Sequence, residues 1–301
     1  LWYGPLSQNV GYDFCFATPV QSLGRLTNIG VNSMILEGRE WHSLGLFGEV
    51  RRRLGQHPYL GFRLSLHQHR VTDTEYLPEG SLWETGLQRF VRSDVRYGFR
   101  RIRWEGEVAL SWETSLTASD YQYDKVGLEI TSDVDLFRKY PTRWRVSLLH
   151  NEGNVPHQRA MYLAGGNPAD AMASNWFYRS RGSLPVSWRT HQHIGFGGGL
   201  NLRGYLDQNV RIRTSAGVSI EQALPSPIPN ILRKLVQYQL YVFTDSGYIR
   251  RTTDSIDDNS FLSDAGIGVT LNFPFIPDRL GEYPVRLDFP FFVSAPGDGD
   301  Q

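Results

Sequence analysis

The residues with the sharpest chemical potential lie in the run Gly195-Phe-Gly-Gly-Gly-Leu-Asn-Leu-Arg203-Gly204-Tyr205. Glycine-rich runs can cradle phosphate, but this one has leucine at 202, where the third glycine of G-x-G-x-x-G would fall. No Lys-Ser/Thr pair follows. As a loop the run makes better physical sense. Consecutive glycines, Gly198 and Gly199 among them, permit unusual backbone angles and close approach, so Arg203 would sit on a tight tip between Leu202 and Gly204. A guanidinium held away from bulk water needs carboxylate partners. Asp245 of Phe243-Thr244-Asp245-Ser246-Gly247 and Glu221 on the preceding segment are the candidates.

Other constellations point to weaker chemistry. His67-Gln68-His69 and His191-Gln192-His193 could each present two imidazoles on one face of a strand, but neither has an assigned third metal ligand. Glu105/Glu107 and Asp133/Asp135 share faces as glycosidase carboxylates do. Arginines surround the first pair and the second falls at a strand end, so ion-paired or solvated faces account for both. Neither G-x-S-x-G nor H-E-x-x-H occurs. Cys15, between Phe14 and Phe16, reads as a small hydrophobe. The expectation is a chain with no catalytic residues, no metal and no cofactor.

The elements that must carry these groups keep a period of two. Val126, Leu128, Ile130, Ser132, Val134 and Leu136 alternate with Gly127, Glu129, Thr131, Asp133 and Asp135. Val210, Ile212, Thr214, Ala216, Val218 and Ile220 alternate with Arg211, Arg213, Ser215, Gly217, Ser219 and Glu221. Ile102, Trp104, Gly106, Val108 and Leu110 oppose Arg103, Glu105, Glu107 and Ala109. Further stripes run through Leu60–Leu66, Ile267–Phe273 and Tyr283–Val293. Such alternation gives strands one apolar and one polar face. About 12 to 16 segments of this kind are expected, many near ten residues, the length a tilted strand needs to cross a bilayer. No amphipathic helix of three turns is evident. The longest irregular stretch runs from about Gly153 to Arg189, with a polar insert around Gly165–Gly182.

Composition narrows the class. With 31 basic and 31 acidic side chains, the chain lacks the basic excess of a general nucleic-acid binder. One cysteine excludes a disulfide framework. No run of 18 apolar residues is present, so no membrane-spanning helix is expected, which says nothing against strands. A soluble sandwich points its apolar face inward, whereas a membrane barrel turns that face to lipid. Opposed charges on the polar faces (Arg101, Arg103, Glu105, Glu107; Arg211, Arg213, Glu221) favour the barrel. So do aromatics near strand ends (Trp83, Trp112, Tyr140, Trp144, Tyr238, Tyr283). Strand parity then sends Gln237, Gln239, Asp245 and Glu221 to the lumen side.

GG-x-x-x-RGY, a strand with a lumenal Glu, F-x-D-x-G, then Ser263-Asp264-Ala265-Gly266-Ile267-Gly268-Val269 and Pro284-Val285-Arg286-Leu287-Asp288-Phe289 together resemble the C-terminal barrel of the bacterial surface antigen superfamily. That superfamily includes outer-membrane assembly factors and two-partner secretion transporters. The specific part covers about a third of the chain, from Gly195 to Val293. The resemblance implies an all-β, antiparallel transmembrane barrel in the bacterial outer membrane. A long extracellular loop carrying Arg203-Gly204-Tyr205 would fold into the lumen, its arginine contacting acids on the following strands. Residues 1–301 would form a single barrel domain, the C-terminal part of a longer polypeptide. Its partners would be outer-membrane lipid, an unfolded or translocating polypeptide client, and periplasmic or fused N-terminal domains. The polar tail after the last strand and the long insert depart from the family pattern. A passive porin, an anchor for a fused enzyme, and an ion pair at Arg203 that only stabilises the barrel remain open beside the gated translocator.

Overall fold

The computed structural model describes residues 11–22, 25–36, 41–53, 58–72, 84–135, 140–163, 199–200, 202–205, 211–225, 237–251, 259–272 and 285–294. Strands β1 (Gly11–Ser22), β2 (Arg25–Leu36), β3 (Trp41–Arg53), β4 (Tyr59–Val71), β5 (Gly86–Arg101), β6 (Trp104–Ser115), β7 (Tyr123–Val134) and β8 (Thr142–Gly153) follow one another as an antiparallel meander. A long connection then carries two 3₁₀ turns, His157–Arg159 and Arg203–Tyr205, and the two-residue strand β9 (Met161–Tyr162). The meander resumes with β10 (Arg211–Ala223), β11 (Gln237–Arg251), β12 (Asn259–Asn272) and β13 (Val285–Val293). All described strands lie in one antiparallel sheet running from β1 to β13. No ladder between those two edge strands is present among the described residues.

The sheet is turned inside out relative to a soluble sandwich. Every described strand from β3 to β13, the short β9 apart, carries exposed large apolar side chains on its outer face. On β4 these are Leu60, Phe62, Leu64 and Leu66, each between 44% and 48% exposed. Leu128 lies between Leu110 and Leu148 in the ladder, and Ile130 between Val108 and Val146, so both join this outer band. Soluble monomers rarely expose more than a few hundred Å² of contiguous apolar surface. On β6 the band is bracketed by Trp104 and Trp112. Eight residue steps along the strand separate them, about 26 Å before tilt, which suits the roughly 25 Å apolar height of a membrane barrel.

The inner face is polar and cross-linked. Arg145 pairs with Glu129 at 2.6 Å, Arg143 with Asp133 at 2.8 Å, Arg100 with Glu105 at 3.4 Å and Arg96 with Glu107 at 3.5 Å. Glycines opposite aromatics tighten the wall. Tyr59 lies across Gly98, Tyr241 across Gly268 and Phe243 across Gly266, each a direct cross-strand pair. A methyl on Gly266 would come within 2.5 Å of the Phe243 ring, so the ring occupies the space a side chain would take.

Two sequence expectations are corrected here. Ile102 and Arg103 are not on a strand; they form the tight turn between β5 and β6, with Ile102 fully exposed. Periodicity cannot see this turn, because the alternation runs on through it. Ile212 is not on the outer face either. The ladder shifts register between Ile212 and Thr214, and Ile212 is 1% exposed inside the wall. One extra residue in a strand reverses the face of everything beyond it.

Candidate functional site

The long connection between β8 and β10 puts its described parts inside the barrel. Leu200 N–H donates to the Tyr162 carbonyl (3.2 Å) and Leu202 N–H to the Leu163 carbonyl (3.1 Å), so its two limbs are tied together. Leu163, Leu200, Leu202 and Tyr205 pack with Ile249 and Leu262 of the inner wall as a dry cluster. Leu200 is admitted by glycine: a methyl on Gly217 would come within 2.4 Å of it.

Arg203, 3% exposed, projects from this layer toward carboxylates on β10, β11 and β13. Its Nε lies 2.8 Å from Asp245 Oδ2 on β11, and its Nη2 donates to Asp245 Oδ1 at 2.9 Å. Nη2 also lies 3.0 Å from Glu221 Oε1 on β10, and Nη1 3.4 Å from Asp288 Oδ1 on β13. The guanidinium carbon is 4.0 Å from the centre of the Phe243 ring. The planar fork of arginine suits this bidentate, ring-stacked seat in a way lysine would not.

The neighbouring residues complete the grip. Gly204 N–H donates to Asp264 Oδ2 at 2.8 Å, and a methyl there would come within 2.7 Å of Val293 Cγ2. Tyr205 Oη donates to the Ser294 carbonyl at 2.7 Å. Tyr241 Oη donates to Asp288 Oδ1 at 2.8 Å, steadying that carboxylate. The Arg203–Tyr205 turn therefore contacts β10, β11, β12 and β13 at once.

Both acids named from the sequence, Glu221 and Asp245, stand within ion-pair distance of Arg203. Asp264 and Asp288 had not been assigned to it. Their signal was available: both alternate with outward residues (Ala265 and Ile267; Leu287 and Phe289) and so share the inner face. Gly199 is buried beside this site, and its carbonyl accepts from Arg145 Nη2 at 3.2 Å. Gly198, the Gly165–Gly182 insert and His191-Gln192-His193 lie outside the described residues.

Other candidate residues have neighbours of their own in the wall. His67 stacks on Phe90 at 4.9 Å and His69 meets it edge-on at 5.1 Å. No cluster able to hold a metal occurs among the described residues. Glu107 is bonded by Tyr59 as well as Arg96.

A second buried arginine had no forecast. Arg159, 1% exposed in the His157–Arg159 turn, forms an ion pair with Glu113 of β6, and its Nε donates to Glu113 Oε1 at 3.2 Å. It also lies over the Phe90 ring at 4.4 Å. Tyr123 Oη donates to the same carboxylate at 3.0 Å.

The all-β wall has a counterpart among solved structures. BamA from Haemophilus ducreyi, in a structure lacking POTRA domains 1–3, superposes with a TM-score of 0.54 at 15% identity, over 94% of this chain and 59% of that one. The chain has the BamA barrel fold. CdiB from Acinetobacter baumannii superposes with a TM-score of 0.34 at 14% identity, over 92% of this chain and 56% of that one; so loose a match adds nothing to the fold assignment. The chain thus spans less than two thirds of the length of either protein. No family model matches the sequence, and no curated protein is similar enough to match it. At 15% identity the likeness to BamA is one of fold, and the functional reading has to come from the site.

Proposed function

We propose that this chain is an outer-membrane barrel of the protein assembly and translocation type, with its lumen gated by the infolded loop that Arg203 holds. The observation that carries this reading is Arg203 itself, buried against carboxylates from β10, β11 and β13 while its neighbour Gly204 binds a fourth on β12. In a passive pore a loop anchored across four strands of the wall would constrict the lumen permanently. A barrel that must stay sealed until a client arrives has a use for such a loop. The exposed apolar band supports outer-membrane lipid as the first partner; an unfolded or translocating polypeptide, the client that a loop-sealed lumen would admit, is the second. Membrane barrels carry their longer loops on the extracellular side, which places the 154–210 connection there. Residues 1–301 serve as one barrel domain of a longer protein whose periplasmic or fused domains receive the client. The barrel itself performs no catalysis.

Single-channel recording in planar bilayers tests this. Wild-type protein is expected to remain mostly closed, and Arg203→Ala to open more often and to higher conductance. A large, steady pore in the wild type would assign the chain to the passive porins instead.

A further inference from the structure

We infer that Arg159 is a second, separate anchor of the lumenal loop, holding its first limb to β5, β6 and β7 as Arg203 holds its last limb to β10–β13. The inference rests on the gated-loop reading above. It starts from an energetic oddity. A fully buried ion pair is weak evidence for stability, since apolar side chains of similar volume often do as well; such pairs are best attested where they specify one arrangement over another. Arg159 and Glu113 are 1% and 4% exposed, and no sequence pattern required an arginine at that depth.

The surroundings fix the limb in one place. Arg159 bridges Glu113 on β6 and the Phe90 ring on β5, and Lys125 Nζ on β7 donates to the Arg159 carbonyl at 2.6 Å. Gln158 closes a reciprocal pair with the Glu84 backbone, accepting at 3.1 Å and donating at 3.0 Å. Immediately beyond, Met161 and Tyr162 pair with Ile212 and Arg211 of β10. The first limb thus crosses from the β5–β7 wall to β10, where the hydrogen bonds from Leu200 and Leu202 join it to the Arg203 limb. Among the described residues Arg159 pairs with Glu113 on β6, and Arg203 with Glu221, Asp245 and Asp288 on β10, β11 and β13. Freeing Arg203 leaves the first limb seated, so full opening of the lumen requires both grips to let go.

Site-specific labelling tests this in folded protein reconstituted in lipid vesicles. In a Cys15→Ser background, Ala160→Cys (2% exposed in the native protein) reports the first limb and Leu202→Cys (1% exposed) the second. A membrane-impermeant maleimide is the probe. With Arg159→Ala, labelling at position 160 is expected to rise at least about tenfold, with a smaller change at 202. With Arg203→Ala the pattern is expected to reverse. Protection at 160 in Arg159→Ala, or equal release of both positions in either variant, would overturn the two-anchor inference. Should Arg159→Ala lose the compact form on a heat-modifiability gel, Glu113→Gln removes the charge at nearly constant volume and is held to the same criterion. Conductance on the same samples separates the two readings. If Arg203→Ala raises conductance without separate release of the limbs, gating stands and the second anchor does not. Separate release without any gain in conductance retains the anchor and removes gating.

Discussion

The Nε of Arg203 stands 2.8 Å from Oδ2 of Asp245, while its Nη2 reaches both Oδ1 of Asp245 and Oε1 of Glu221. A loop residue is thereby bonded to the inner faces of two adjacent strands, with Phe243 beneath its guanidinium. Removing the arginine strands several carboxylates in a space built for one cation.

That imbalance sets the first expectation. Arg203→Ala should destabilise the folded barrel by about 3 kcal/mol or more, the usual cost of breaking a buried pair from one side. Arg203→Lys should recover only part of it, because an ammonium cannot satisfy two acids in fork geometry. Urea unfolding in detergent measures both; equal stability of wild type and Arg203→Ala would show that the pair contributes nothing.

The acids should rank by their geometry. Asp245→Asn, losing a bidentate partner, should cost more than Glu221→Gln, and Glu221→Gln more than Asp288→Asn, whose contact is 3.4 Å long. A different order in a double-mutant cycle against Arg203→Ala would mean that the seat is organised by another group.

Gly204 should not tolerate a side chain. Gly204→Ala places a methyl 2.7 Å from Val293 Cγ2 and 2.9 Å from Asp264 Cβ, the latter on β12, which is hydrogen-bonded to a strand on either side. Overpacking of this kind costs about 1–3 kcal/mol, to be read as a lowered Tm together with increased conductance. Gly61→Ala is the control, since its nearest neighbours are 3.9 Å away.

Reversing the polarity of the outer face should be costly at mid-strand. Leu110→Arg, at a site 46% exposed on the apolar face, should lose about 2–4 kcal/mol in lipid. The same change in a soluble protein would be nearly neutral, so refolding yields in bilayers test the membrane assignment directly.

A pH dependence follows from His157 at the mouth of the loop. Burial lowers its pKa below the ordinary 6.5, and the Arg211 charge adds to this while Glu84 opposes it. Arg211 Nη1 donates to His157 Nε2 at 3.0 Å, which requires a neutral ring. The unfolded chain therefore takes up this proton first. The contribution of His157 is full above about pH 6.5 and declines as pH falls toward its folded pKa, by at most about 1.4 kcal/mol per pH unit. His157→Gln should flatten the stability profile across that interval; an unchanged slope would remove the histidine as its source.

Much of the wall was legible in the chain because a strand in a barrel obeys a local rule. Each of its residues faces either lipid or lumen, so alternation along β4, β7 and β10 reports the face directly. The same parity sent Glu221 and Asp245 inward. It failed at Ile102 and Ile212 for one reason: alternation persists through a tight turn or a one-residue bulge without recording that the geometry beneath it has changed.

The sequence by itself determined the period, the division of each strand into an apolar and a polar face and the presence of one arginine with acids of matching parity, since all of these depend on neighbours along the chain; that the apolar face turns outward is a property of the tertiary structure. Only the tertiary structure decided which acids meet at Arg203 and that Arg159 is buried against Glu113. Those contacts join residues from separate strands and from both limbs of one loop. Their energy depends on desolvation and on distances across the lumen, which no local spacing encodes.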